Sequence, residues 1–135
     1  MSWSQSLIKL ATYEVETLQK RLADVSDRRQ GAELRLAMLQ AEGLAEMGRA
    51  DADPIAGLYR AAFMEALRTR KAEATAAIAE VMLEEQGARD ALAEAFEAQK
   101  KYEHVAEQAR LVEIKESAKR ETAALDEMGL RKAAR

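Results

Sequence analysis

Residues 43 to 50 read Gly-x-x-x-x-Gly-Arg-Ala, the glycine spacing of a loop that wraps phosphate. The lysine that reaches the phosphates and the Ser or Thr that holds magnesium are both missing, and no strand pattern leads into the segment. A helix ending is the better reading. His104 is the only histidine and there is no cysteine, whereas a zinc or di-iron centre needs several donors converging on one point. Lys101 occupies the place where a carboxylate-bridged bundle needs the Glu of Glu-x-x-His. A solvated histidine accounts for position 104. Asp51 and Asp53 lack the twelve-residue ligand pattern of a calcium loop, and helix capping explains them. Glu84 and Glu85 are adjacent, so on a helix they point in different directions rather than sharing a proton. No serine has a histidine at a useful spacing. The sequence therefore assigns no catalytic, cofactor-binding or metal residue, and it predicts a protein that is not an enzyme.

Binding is the remaining chemistry. Leu58, Tyr59, Phe63 and Leu67 form the densest group of large side chains. Core packing accounts for part of it. Leu58 and Tyr59 are neighbours in sequence and cannot both face inward, so part of the group is expected to form an exposed patch.

The elements that must position these residues are helices. Of the 135 residues, 33% are charged, 4% are aromatic and one is proline, a composition suited to long exposed helices and poor in core-filling rings. Basic and acidic residues number 21 and 24 and are intermixed, which leaves no basic stripe for nucleic acid or for an acidic membrane surface. No apolar run approaches the roughly 18–20 residues that span a bilayer. The start of the chain lacks a signal-peptide pattern, so the cytoplasm is the expected compartment.

One interruption, from Gly48 to Gly57, divides the chain. Gly48 suits a C-cap, Asp53 an N-cap and Pro54 a first helical turn. The spacing predicts helix 1 over about 6–47, a loop over about 48–53 and helix 2 over about 54–130. Together they form one all-α domain over 1–135, a long antiparallel two-helix coiled coil. Helix 1 carries a seven-residue repeat through Ile8, Ala11, Val15, Leu18, Leu22, Val25, Ala32, Leu36 and Leu39, broken only by Arg29. Helix 2 has a poorer seam. Ile78, Val81, Leu92 and Tyr102 are its larger members, alanines fill much of the rest, and Lys71, Glu85 and Gln99 lie in the same stripe. Gly31 and Gly43 should each weaken helix 1 by about 1 kcal/mol relative to alanine. A short loop pairs residues 7–47 with about 58–98 and leaves 99–130 as an overhang. Leu111, Val112, Ile114, Leu125 and Met128 have no partner there, as in a binding element.

These residues resemble the flagellar type III export protein family FliJ along nearly the whole chain. The resemblance rests on Leu7-Ile8-Lys9-Leu10-Ala11 with Glu14-Val15, on Leu36-Ala37-Met38-Leu39, and on Tyr59 with Phe63 and Leu67. It rests most on Lys119, Leu125-Asp126-Glu127-Met128 and the basic tail Arg131, Lys132 and Arg135. Glu42 and Glu46 depart from the aromatic and polar residues that members often carry before the tip. The resemblance implies a stalk-like coiled coil that binds a hexameric export ATPase (FliI-like), an export gate protein (FlhA-like) and export chaperones. It implies gate contacts at Leu39, Leu58, Tyr59, Phe63 and Leu67. Leu125, Asp126, Glu127 and Met128 are the implied ATPase contacts, and the location is cytoplasmic at the membrane-embedded apparatus. The related injectisome stalks and other coiled-coil chaperones or scaffolds are the alternative. A prefoldin-like holdase would need strands between the helices, and the break is too short for them.

Overall fold

The computed structural model describes residues 3–49 and 54–134. It contains two helices, α1 (Trp3–Met47) and α2 (Pro54–Ala133), packed against each other as a helical hairpin. α1 is rich in Leu, Ala, Gln, Glu and Arg, and has no proline to break its hydrogen-bond ladder. α2 begins on its proline, whose missing amide hydrogen is not needed in a first turn. The N-cap expected at Asp53 lies outside the described residues. At the other end, Arg131 and Lys132 occupy the last turn, where they meet the partial negative charge of the free carbonyls.

The chain divides into two compact units, one formed by residues 16–93 and the other by residues up to 15 with those from 94 onward. In the 16–93 unit, numbers fall along α1 as they rise along α2: Arg28 meets Glu84, Arg29 meets Glu85, and Gly43 faces Leu67. This is the antiparallel order that a short connection imposes. Its core cluster is Leu39, Leu67 and Ala74, with Leu36, Phe63 and Met64 packed against it. Val25, Val81 and Ala88 are also buried. α2 thus buries Leu67, Ala74, Val81 and Ala88 at seven-residue intervals, with Glu85 buried among them.

In the other unit, Ala11, Val15 and Ala95 are buried, and Gln99 Nε2 donates to Thr12 Oγ1 at 3.1 Å. Trp3, Ser4 and Ile8 line a groove with Glu103, Glu107 and Arg110. Pairing therefore extends to Arg110, and the unpaired stretch begins at Leu111 rather than at residue 99. The register differs from a count made outward from the loop. The first turns of α2 expose Ile55, Leu58 and Tyr59, and α1 starts at Trp3 rather than near residue 6. Tyr102, expected in the seam, lies at its margin and is 36% exposed. Of the other expected seam residues, Val15, Val25 and Val81 are buried, while Ile8, Leu18, Leu22, Leu36, Ile78 and Leu92 are half-buried.

Gly43 weakens α1 less than its helix propensity alone suggests. A methyl group added there would stand 2.9 Å from Leu67 Cδ2, so the glycine lets the two helices approach around that leucine. A methyl group added at Gly31 would meet no neighbouring side chain within 4 Å. The same substitution should therefore act in opposite directions at the two sites. Gly31→Ala should stabilise the chain by about 0.5–1 kcal/mol. Gly43→Ala should lower the thermal midpoint, because overpacking at about 1–3 kcal/mol outweighs the gain in helix propensity. Thermal denaturation followed by circular dichroism checks both signs.

Candidate docking surfaces

The tip is held shut by a side chain that capping rules did not single out. The Gly48 amide donates to the Leu44 carbonyl at 3.0 Å, and no described glycine has the positive φ of a left-handed cap. Instead the Arg60 guanidinium donates to the Glu46 carbonyl at 2.6 Å and to the Arg49 carbonyl at 2.8 Å. Two carbonyls at the end of α1 are thus satisfied by a cation from α2. This fixes the first turns of α2 against the end of α1.

That fixing divides the five tip residues into two groups. Leu39 and Leu67 are closed inside the core cluster, and Phe63 is half-buried against it. Leu58 and Tyr59, at 75% and 74% exposure, are open. Leu44, Met47 and Ile55 are exposed as well. Leu39 and Leu67 therefore shape the tip, and a partner can touch Leu58, Tyr59 and the outer face of Phe63. The periodicity of α1 already placed Leu39 in the seam, and Leu67 falls on the α2 repeat at Ala74 minus seven.

Two of the polar residues that interrupt the seams, Arg29 and Glu85, face each other. Arg29 Nε donates to Glu85 Oε2 at 2.6 Å, and Arg89 reaches the other Glu85 oxygen at 3.0 Å. Arg29 also contacts Glu33, and Arg28 pairs with Glu84 at 3.0 Å. Hydrogen bonding from Arg29, joined by its charge and by Arg89, holds the Glu85 carboxyl below its ordinary range against the opposing effect of burial. Arg28 does the same for Glu84, and both guanidiniums are pushed up in return. Opposite charges in the two stripes were the available signal for this match. Glu85–Arg89 and Glu127–Arg131 form along α2 as (i, i+4) pairs, and Arg120 reaches Glu113 seven residues away.

The second surface is α2 beyond Arg110. Leu111, Val112, Ile114, Leu125 and Met128 are exposed there, and so are Asp126 and Glu127. Glu127 is engaged by Arg131 at 3.0 Å. Among the described residues no three His, Asp or Glu side chains converge as a metal site would require. No described helix is long and apolar enough to cross a membrane. The arrangement offers apolar surfaces edged with charge.

Comparison with known proteins agrees with that geometry. The family model described as flagellar FliJ protein matches residues 5–135. Two proteins named flagellar FliJ protein, from Caulobacter vibrioides strains NA1000 / CB15N and ATCC 19089 / CIP 103742 / CB 15, are each 48% identical to the chain over 132 residues. The alignment covers 98% of this chain and 95% of each relative. No solved structure matches. With a family model spanning residues 5–135 and relatives of closely similar length, the chain belongs to the flagellar FliJ family, whose members are components of flagellar export and not enzymes.

Proposed function

We propose that this chain is a stalk-like coiled coil that binds the export ATPase ring and the export gate, and assists delivery of substrates and their chaperones. The observation that carries this reading is the pair of exposed apolar surfaces in a chain of the FliJ family. One lies at the tip and the other on the unpaired part of α2. Neither can be covered by the hairpin's own seam, and exposed apolar clusters edged with polar groups are docking sites by default. In this reading Leu58, Tyr59 and Phe63 meet the gate, supported from beneath by Leu39 and Leu67. Leu125, Asp126, Glu127 and Met128 meet the ATPase. The protein would then work in the cytoplasm, at the edge of the membrane-embedded apparatus. The flagellar names of its relatives favour this system over an injectisome.

The tip assignment has a direct test. Exchanging Leu58 and Tyr59 together for Asp should weaken binding of the gate's cytoplasmic part by about tenfold or more, the effect of losing interface anchors. Helicity should stay unchanged, because both side chains already stand in water. An unaltered affinity in a calorimetric titration would remove the tip from the gate interface.

A further inference from the structure

Beyond Arg110 the apolar face of α2 changes direction. Along the paired stretch α2 buries residues at seven-residue intervals through Ala95. Continuing that repeat brings Glu113, Glu116, Arg120 and Glu127 onto the same face, with Ala123 between them and Leu130 just beyond. Three of these four charges are already engaged. Arg120 holds Glu113 at 3.1 Å, and Arg131 holds Glu127 at 3.0 Å. Meanwhile Leu111, Ile114, Ala118, Leu125 and Met128 recur at steps of three, four and seven along a different line. At roughly 100° per residue this line is turned about 150° from the continued seam, on nearly the opposite side of the helix. All five are exposed. Whatever covers this stripe therefore does not follow the track of α1.

The unengaged charges describe what would cover it. Lys115 and Lys119 edge a shallow groove along one side of the stripe, with Asp126 at its far end, and Glu121 interrupts the stripe between Ala118 and Leu125. Among the described residues Lys115, Lys119 and Glu121 form no ion pair, in contrast to the arginines behind them. A second copy of the chain fits poorly. In a parallel pair each of these charges meets its own copy. In the antiparallel pair with the best overlap of apolar residues, the two-fold axis falls between Lys119 and Arg120, which sets cations together and brings both Glu121 side chains within a turn. Like charges so placed disfavour a partner.

We propose that the stripe receives an amphipathic helix of a different protein. That helix carries carboxylates along the edge facing Lys115 and Lys119 and a basic side chain opposite Glu121. This rests on the reading of unpaired α2 as a docking element and specifies the chemistry of its partner. Two designed helical peptides serve as probes against the full-length chain in fluorescence anisotropy. They share one apolar stripe; the first has Glu along the edge and a single Arg within the stripe, and the second has these signs reversed. The chain should prefer the acid-edged peptide by about tenfold. The triple substitution Lys115→Glu, Lys119→Glu and Glu121→Lys should invert that preference. Leu125→Asp with Met128→Asp should abolish binding of both peptides. Equal affinity for the two, binding of neither, or a preference that survives charge reversal would overturn the proposal. So would a solution mass twice the 15.0 kDa of the chain that falls on Leu125→Asp, since a second copy would then cover the stripe. Titrating the export ATPase separates the two readings. Equal ATPase affinity for the wild-type and charge-reversed chains contradicts the helix proposal and leaves the stalk standing. Charge-selective peptide binding without ATPase binding does the reverse.

Discussion

Leu67→Ala should lower the stability of the chain by about 2–5 kcal/mol, the range for truncating a fully buried leucine. Leu67 is 1% exposed and is the only large side chain wholly enclosed among the described residues. It packs with Leu39 and Ala74 on one side and closes over Gly43 on the other. Against a typical total of about 5–15 kcal/mol, the loss is a large fraction of the whole. The α2 side of the seam, with Ala74, Ala88 and Ala95 buried, covers little area per residue and offers little to compensate. The fall should appear as a lower midpoint in urea with helical signal retained before the transition. Gly43→Ala provides an internal control. In the Leu67→Ala background its methyl group has room, so its penalty should vanish or reverse, a coupling that a double-mutant cycle measures directly. Additive effects would mean that Leu67 and Gly43 do not share the contact described here.

Arg29→Leu or Glu85→Leu alone should lower the thermal midpoint by several degrees, more than Glu127→Ala on the exposed end of α2. Each single change removes the counterpart across the seam and leaves the remaining charge only its partner along its own helix, Arg89 for Glu85 or Glu33 for Arg29, which is the costly way to break a part-buried pair. The double change Arg29→Leu with Glu85→Leu should restore the midpoint or raise it, because a leucine pair fits the heptad. The polar match then serves register more than stability, since only one alignment brings Arg29 onto Glu85. Acid should expose the same interaction. The Glu85 and Glu84 carboxyls are held below their ordinary range in the folded chain, chiefly by hydrogen bonds from Arg29 and Arg28. Below the unfolded carboxylate value of about 4.3, the unfolded chain therefore binds more protons than the folded one. Their contribution is complete above that pH and is lost as pH falls through the lowered folded values. Denaturation midpoints should be flat from neutrality to about pH 5 and fall below it. The double leucine variant should show a shallower acid limb, with Glu84 and Glu107 still contributing.

Much of this architecture was legible in the residues because a coiled coil writes its geometry in one dimension. The repeat from Ile8 to Leu39 marked the buried line of α1, and Pro54 marked the start of α2. What single-helix patterns could not reveal was the alignment of one stripe with the other. Arg29, Glu85 and Gln99 read as flaws when each helix was considered alone. Arg29 with Glu85, and Gln99 with Thr12, become complementary only once the register is known. The same missing alignment misjudged the paired length, and with it Tyr102. At the tip, adjacency showed that Leu58 and Tyr59 could not both be buried. It could not show that Arg60 would satisfy the carbonyls of Glu46 and Arg49, because that contact joins α2 to the end of α1. Gly43 likewise looked like a weak point until Leu67 was seen to fill the space against it.

The most direct test of the central claim is capture of the tagged full-length chain from flagellated cells at native abundance, with partners identified by mass spectrometry. A stalk of the export apparatus should bring down the export ATPase and the gate protein together. The tip pair Leu58→Asp with Tyr59→Asp should remove only the gate, and Leu125→Asp with Met128→Asp only the ATPase. Recovery of neither partner, from cells shown to be assembling flagella, would contradict the account.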